Sequence, residues 1–438
     1  MFAPSRSSHR NSIAGRGFRT RSHAPRSRRG ITLIEMMVSI TLTLIIMGTV
    51  MTIFGMITGA VADNRAVMET VDRLKSATSR LQADLQGRTC STLPWNRIES
   101  ASGYFLYGEG LSTDAAPNSQ NSWLQIPSDD LDLQQLASPE NRVLGDCDDV
   151  LMLTVRSRGA PFVGRGPNGP LESYLAEVVW FVRPAEVNAQ VKPLTLYRRV
   201  LLIVSQEQMG GGGGSSRSEF FQRYDISARS QGGRMIPNTL ADLTMPENRF
   251  SHSGSGNVGS LDIGADSPMR PFPPSSERYG EDVMLTNVVG FDIKAFDPWA
   301  GFGGAGDGSV ALVPGDFEYS AGGGARGVYV NLDDTASGGD YAGAPREKSM
   351  FKQGSGMKAV YDTWSFHYEH DGVSRQGGRD QGTDLLDNDG SGGVDDAGER
   401  ATSAPYLRPL RGIEISVRVY EADSRQVQQV TIVGDFMP

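Results

Sequence analysis

The chain has 438 residues, 53 of them glycine, with 38% hydrophobic content and a formal net charge of −9. Residues 1–30 hold eight arginines and no acid, so the remainder carries −17. An acidic body of this kind excludes a nucleic-acid-binding surface, which needs clustered positive charge, and the glycine-rich, modestly apolar composition puts much of the chain in loops.

The first element is the basic head, residues 1–30, which closes on Arg28-Arg29-Gly30. It abuts an apolar run from Ile31 to Ala62 whose single charge is Glu35. About 20 apolar residues cross a bilayer, so 31–62 reads as a transmembrane helix. The run is too long for the apolar region of a cleaved secretory signal, which is about 7–15 residues. The arginines before it belong on the cytoplasmic side. A carboxylate facing lipid costs about 2.5–3.5 kcal/mol on insertion scales, so Glu35 needs a partner.

The helix is predicted to continue past the apolar run. Val67, Val71, Leu74, Thr78, Leu81 and Leu85 alternate steps of four and three, which draws one stripe along a helix. Asp72, Arg73, Lys75, Arg80 and Asp84 read as its solvated face, and Gly87 as its stop. A helix over 31–87 is on the order of 85 Å long at 1.5 Å per residue.

Beyond Gly87 the pattern turns to strands. They are expected at 149–157, 174–184, 194–204, 282–298, 359–370, 411–421 and 425–436, from β-branched and aromatic enrichment between turn signals. The second and third read as a hairpin with a long loop, and the last two as a hairpin over "ADS". Gly/Ser/Asn-rich stretches such as "MGGGGGSSRSE" and "SHSGSGNVGS" separate the strands. The fold class is α+β: a long N-terminal helix packed on a mainly antiparallel β domain, 88–438, with long glycine-rich insertions.

Two cysteines, Cys90 and Cys147, leave two readings open: a disulfide, or two separate buried thiols. "FHYEH" places His367 and His370 three apart around Glu369, in a strand-like setting that does not match a helical zinc motif. "DNDGSGGVDDAGE" sets Asp387, Asp389, Ser391, Gly393 and Asp395 at positions 1, 3, 5, 7 and 9 of an EF-type loop, with Gly392 at the sharp turn. Hard oxygen donors at that spacing suit calcium. Position 12 is Gly398 rather than an acid, so a solvated acidic loop is the competing reading. No cofactor is otherwise required. No nucleophile–base motif is present, so the chain is not expected to be an enzyme.

Arg28-Arg29-Gly30 followed by "ITLIEMMVSITLTLIIMGTV" resembles the N-terminus of the type IV pilin and pseudopilin superfamily. The shared pattern is a basic leader ending in glycine, one hydrophobic residue, and a glutamate five positions into the mature chain. The resemblance implies that a prepilin peptidase cuts between Gly30 and Ile31 and methylates the new amine. It also implies that Glu35 is the assembly contact, paired with a neighbour's terminal amine. Ile31 replaces the commoner phenylalanine, and Thr52 stands where many major pilins carry a helix-kinking proline, which points to a minor component.

"YLAEVVWFVRP…LTLYRRV" and "RPLRGIEISVRVYEADSRQVQQVTIVGDF" resemble the J-type minor pseudopilins of type II secretion. That likeness implies a domain of two β-sheets at or near a filament tip. It implies other major and minor pseudopilins, the peptidase and an inner-membrane assembly platform as partners, with no nucleic acid. The expected topology is single-pass in a bacterial inner membrane, N-terminus cytoplasmic and C-terminal domain periplasmic. The expected function is thus that of a minor pseudopilin. One alternative is a minor type IV pilin for pilus priming, adhesion or DNA uptake. Another, of a different class, is a membrane-anchored hydrolase.

Overall fold

The computed structural model describes residues 30–92, 100–110, 145–184, 194–210, 216–245, 248–250, 269–304, 311–312, 321–332, 341, 357–363, 387, 393–394, 409–421 and 424–436. The chain divides into two compact units, residues 1–62 and 63–438. One helix, α1 (Leu33–Gln86), is unbroken through 54 residues.

In the first unit every helical residue is exposed. Leu44 and Phe54 are 64% and 63% exposed, and no described residue covers this apolar surface. Its threonines are made compatible with hydrocarbon locally. The hydroxyls of Thr41, Thr43, Thr49, Thr52 and Thr58 each donate to the carbonyl four residues back at 2.7–2.9 Å. These threonine hydroxyls are therefore satisfied within the helix rather than left for lipid to meet. Among the described residues, α1 alone is long and apolar enough to cross a membrane.

In the second unit α1 buries Thr70, Leu74, Ala77, Thr78, Leu81, Asp84 and Leu85. The predicted stripe is therefore present, with Val67 and Val71 half-buried at its start. Asp84 corrects the expectation of a solvated residue, because a partner across the sheet interface neutralises it. The helix ends where expected. The N–H of Gly87 donates back to the carbonyl of Ala83 at 2.9 Å. A Cβ on Gly87 would lie 2.8 Å from the Arg156 carbonyl oxygen, so glycine lets the chain turn hard against the sheet.

The strands run in chain order as β1 (Phe105–Gly110), β2 (Val150–Arg156), β3 (Phe162–Gly166), β4 (Gly169–Ser173), β5 (Leu175–Pro184) and β6 (Leu194–Leu202). Two short helices, α2 (Gln206–Met209) and α3 (Arg217–Arg223), precede the hairpin of β7 (Ala228–Gln231) and β8 (Arg234–Pro237). Then come β9 (Val283–Gly304), β10 (Ala311–Leu312), β11 (Ala321–Val330), β12 (Met357–Asp362), β13 (Gly412–Glu421) and β14 (Gln426–Asp435). Every predicted strand has a counterpart here, although residues 364–370 of the strand expected at 359–370 lie outside the described residues, and both predicted hairpins form, β5 with β6 and β13 with β14.

The expected pair of sheets is replaced, among the described residues, by one ten-stranded sheet and two small hairpins, β3–β4 and β7–β8. The path is β12-β1-β2-β5-β6-β9-β13-β14, with β10 and β11 also on β9. The long β9 is the reason. Its start pairs with β6, its middle with β13 and its end with β11 and β10. Register breaks accompany the change of partner, and Asn287 there takes a positive φ of 57°. A single strand thus stitches two strand groups into one hydrogen-bonded surface.

The sheet is covered on both faces. Alternate residues of a strand face opposite sides, and in β5 Ala176, Val178, Trp180 and Val182 join the core beneath α1. Val179 and Phe181 join a second core with Met209, Phe220, Phe221 and Met235 from the α2–β8 layer. Burial of both faces explains why the central strands read as unbroken apolar runs.

Candidate functional site

The N-terminal segment is built from an exposed glycine and a helix that starts late. Gly30 is exposed and its Cβ position meets nothing within 4 Å. Ile31 is 72% exposed, and the helix begins only at Leu33. The predicted scissile bond therefore lies in accessible, non-helical backbone.

Glu35 closes a capping box with Thr32. The Glu35 amide donates to Thr32 Oγ1 at 3.2 Å, and Glu35 Oε2 accepts from the Thr32 amide at 2.9 Å. The Thr32 hydroxyl also donates to the same carboxylate oxygen at 3.0 Å. This arrangement satisfies donors that the first helical turn leaves unused, and the positive end of the helix dipole favours a carboxylate there. Glu35 therefore has partners within a single chain. T-x-x-E ahead of an apolar run was the readable signal for it.

Where α1 meets the β domain, a polar latch sits inside the apolar stripe. Asp84 accepts from Arg198 Nε at 2.7 Å and from Arg198 Nη2 at 2.8 Å, with Trp180 Nε1 donating at 2.9 Å. Arg198 and Asp84 are both nearly fully buried. A bidentate carboxylate–guanidinium pair with a third donor meets the geometric demand that burial places on charges. Further along, Thr70 donates to Glu421 at the end of β13.

A group of buried acids gathers at the β1–β2–β9 junction. Carboxylate oxygens of Glu109, Asp146 and Asp149 lie within 4.8 Å of one another. Asp149 accepts from the Gly110 amide at 3.0 Å and the Ile293 amide at 2.7 Å, and Glu109 from the Leu332 amide at 3.2 Å and the Tyr107 hydroxyl. Asp292 pairs with Lys294 at 3.0 Å. Burial first, and then Asp149, pushes the Asp146 carboxyl well up. Burial and then Glu109 do the same to Asp149. Burial also draws Arg183 down to about 9, with Asp148 opposing the shift. Oxygens this close suit a hard cation by spacing, and bound protons answer the same repulsion. The run "GDCDDV" was the sequence signal, although only folding brings Glu109 to it.

The other expected sites resolve differently. Cys90 and Cys147 are not joined by a disulfide. Each thiol is buried with its own neighbours: Cys90 near Thr363 and Ser102, Cys147 against the Gly145 carbonyl. Of the predicted calcium ligands only Asp387 and Gly393 lie among the described residues. Asp387 is exposed and Gly393 has a φ of 117°. Asp389, Ser391 and Asp395 lie outside the described residues, as do His367 and His370.

A membrane-compatible apolar helix, an exposed glycine before it and a β domain on its second half are the features expected of a prepilin-type subunit. The family description "Prokaryotic N-terminal methylation motif" matches residues 25–51. With the apolar helix behind it, this match over the N-terminal segment supports a type IV pilin or pseudopilin type of protein. Such a motif implies processing by prepilin peptidase and assembly with other pilin-type subunits, and indicates a structural protein. No curated protein and no solved structure matches the chain.

Proposed function

We propose that the chain is a minor pseudopilin, a structural subunit of a type II secretion pseudopilus. The peptidase cuts it after Gly30 and methylates Ile31. Before assembly it is held in the bacterial inner membrane, with the domain periplasmic. Its partners are other major and minor pseudopilins and the inner-membrane assembly platform. The observation that carries this reading is the exposed Gly30–Ile31 bond one turn ahead of Glu35. The absence of a proline at Thr52 in an unbroken α1 and the β-rich body support a minor rather than a major component.

The test separates processing from assembly. Gly30→Glu should leave a full-length precursor in the membrane. Glu35→Leu should still be cleaved, because the scissile bond and the basic leader remain, yet enter filaments poorly. Mass spectrometry of the mature N-terminus and co-isolation with other pilin-type subunits read the two steps. A mature chain that begins upstream of Ile31 rejects the pilin-like reading, and normal assembly of Glu35→Leu rejects Glu35 as the contact. A minor type IV pilin would behave identically in this test. Secretion that survives deletion of the gene, with pilus formation lost, would select that reading.

Calcium at the Asp387–Asp395 loop belongs to the same proposal. Ligand bound only to the folded state stabilises by about 2.7 kcal/mol at a hundredfold excess over the dissociation constant. Added calcium should therefore raise the unfolding midpoint, and Asp387→Ala with Asp389→Ala should remove the gain. A midpoint indifferent to calcium in the unaltered chain sinks the idea.

A further inference from the structure

We draw no further inference here: the strongest candidate, the cluster of buried carboxylates of Glu109, Asp146 and Asp149 at the β1–β2–β9 junction, carries none because no second feature among the described residues points to a ligand there.

Discussion

Residues 33–62 and 63–86 belong to one helix with one backbone geometry, yet they meet opposite environments. The first stretch exposes Leu, Ile, Met and Phe on every side and tucks its threonine hydroxyls onto its own carbonyls. The second narrows its apolar surface to a stripe and admits a buried aspartate. The difference teaches that a helix is specified by what will surround it. A hydrocarbon or filament interior asks only that no polar group be left unmet. A sheet asks for shape, and tolerates charge only with a partner aimed at it.

The largest expected effect breaks the latch. Asp84→Ala removes one partner of a buried pair, leaves Arg198 uncompensated and deprives Trp180 of its acceptor. Loss of one member of such a pair costs about 3–5 kcal/mol. Urea unfolding of the full chain in detergent, followed by tryptophan fluorescence, should show a midpoint shift of that size. An unchanged midpoint would mean that the helix is held by its apolar stripe alone.

The same change in each half sharpens the comparison. Leu81→Ala opens a cavity in the core and should cost about 2–5 kcal/mol. Leu44→Ala, on a surface that no described residue covers, should stay within about 0.5 kcal/mol. Comparable losses at both positions would show that the first half packs on something within its own chain.

The smallest expected change is a slope. Asp146 and Asp149 have carboxyls raised in the folded state, so the folded chain holds more protons than the unfolded chain above the ordinary carboxylate range. Their contribution is fully present below about pH 4, the unfolded value, and is lost as the pH rises through the folded value. The unfolding midpoint should fall as the pH rises above the ordinary carboxylate range. Asp149→Asn should flatten that fall. A midpoint that rises over the same range would show that a cation, not protons, balances these acids.

The sequence read some features because they are local. Helix α1 follows from periodicity, its stop from Gly87, and the central strands from runs long enough to fill both faces of a sheet. Gly30, Ile31 and Glu35 stand out because a basic stretch, a glycine and a first helical turn are contiguous in the chain. The capping box is equally local, in Thr32 and Glu35.

Other features were decided only in three dimensions. Short strands such as β1, β3 and β4 are too brief for pattern alone, and their pairing depends on partners far along the chain. Asp84 looks like any polar helix residue until Arg198, 114 positions away, arrives across the sheet. Glu109 joins Asp146 and Asp149 only when β1 pairs with β2. The continuity of the sheet depends on β9 changing partners along its length. The sequence by itself determined helix α1, the central strands and the prepilin-type motif, since these rest on hydrophobic period and adjacent residues. The tertiary structure decided which charges are buried, which thiols stay apart and where strands join. Those depend on distances between residues remote in sequence, which neither composition nor spacing encodes.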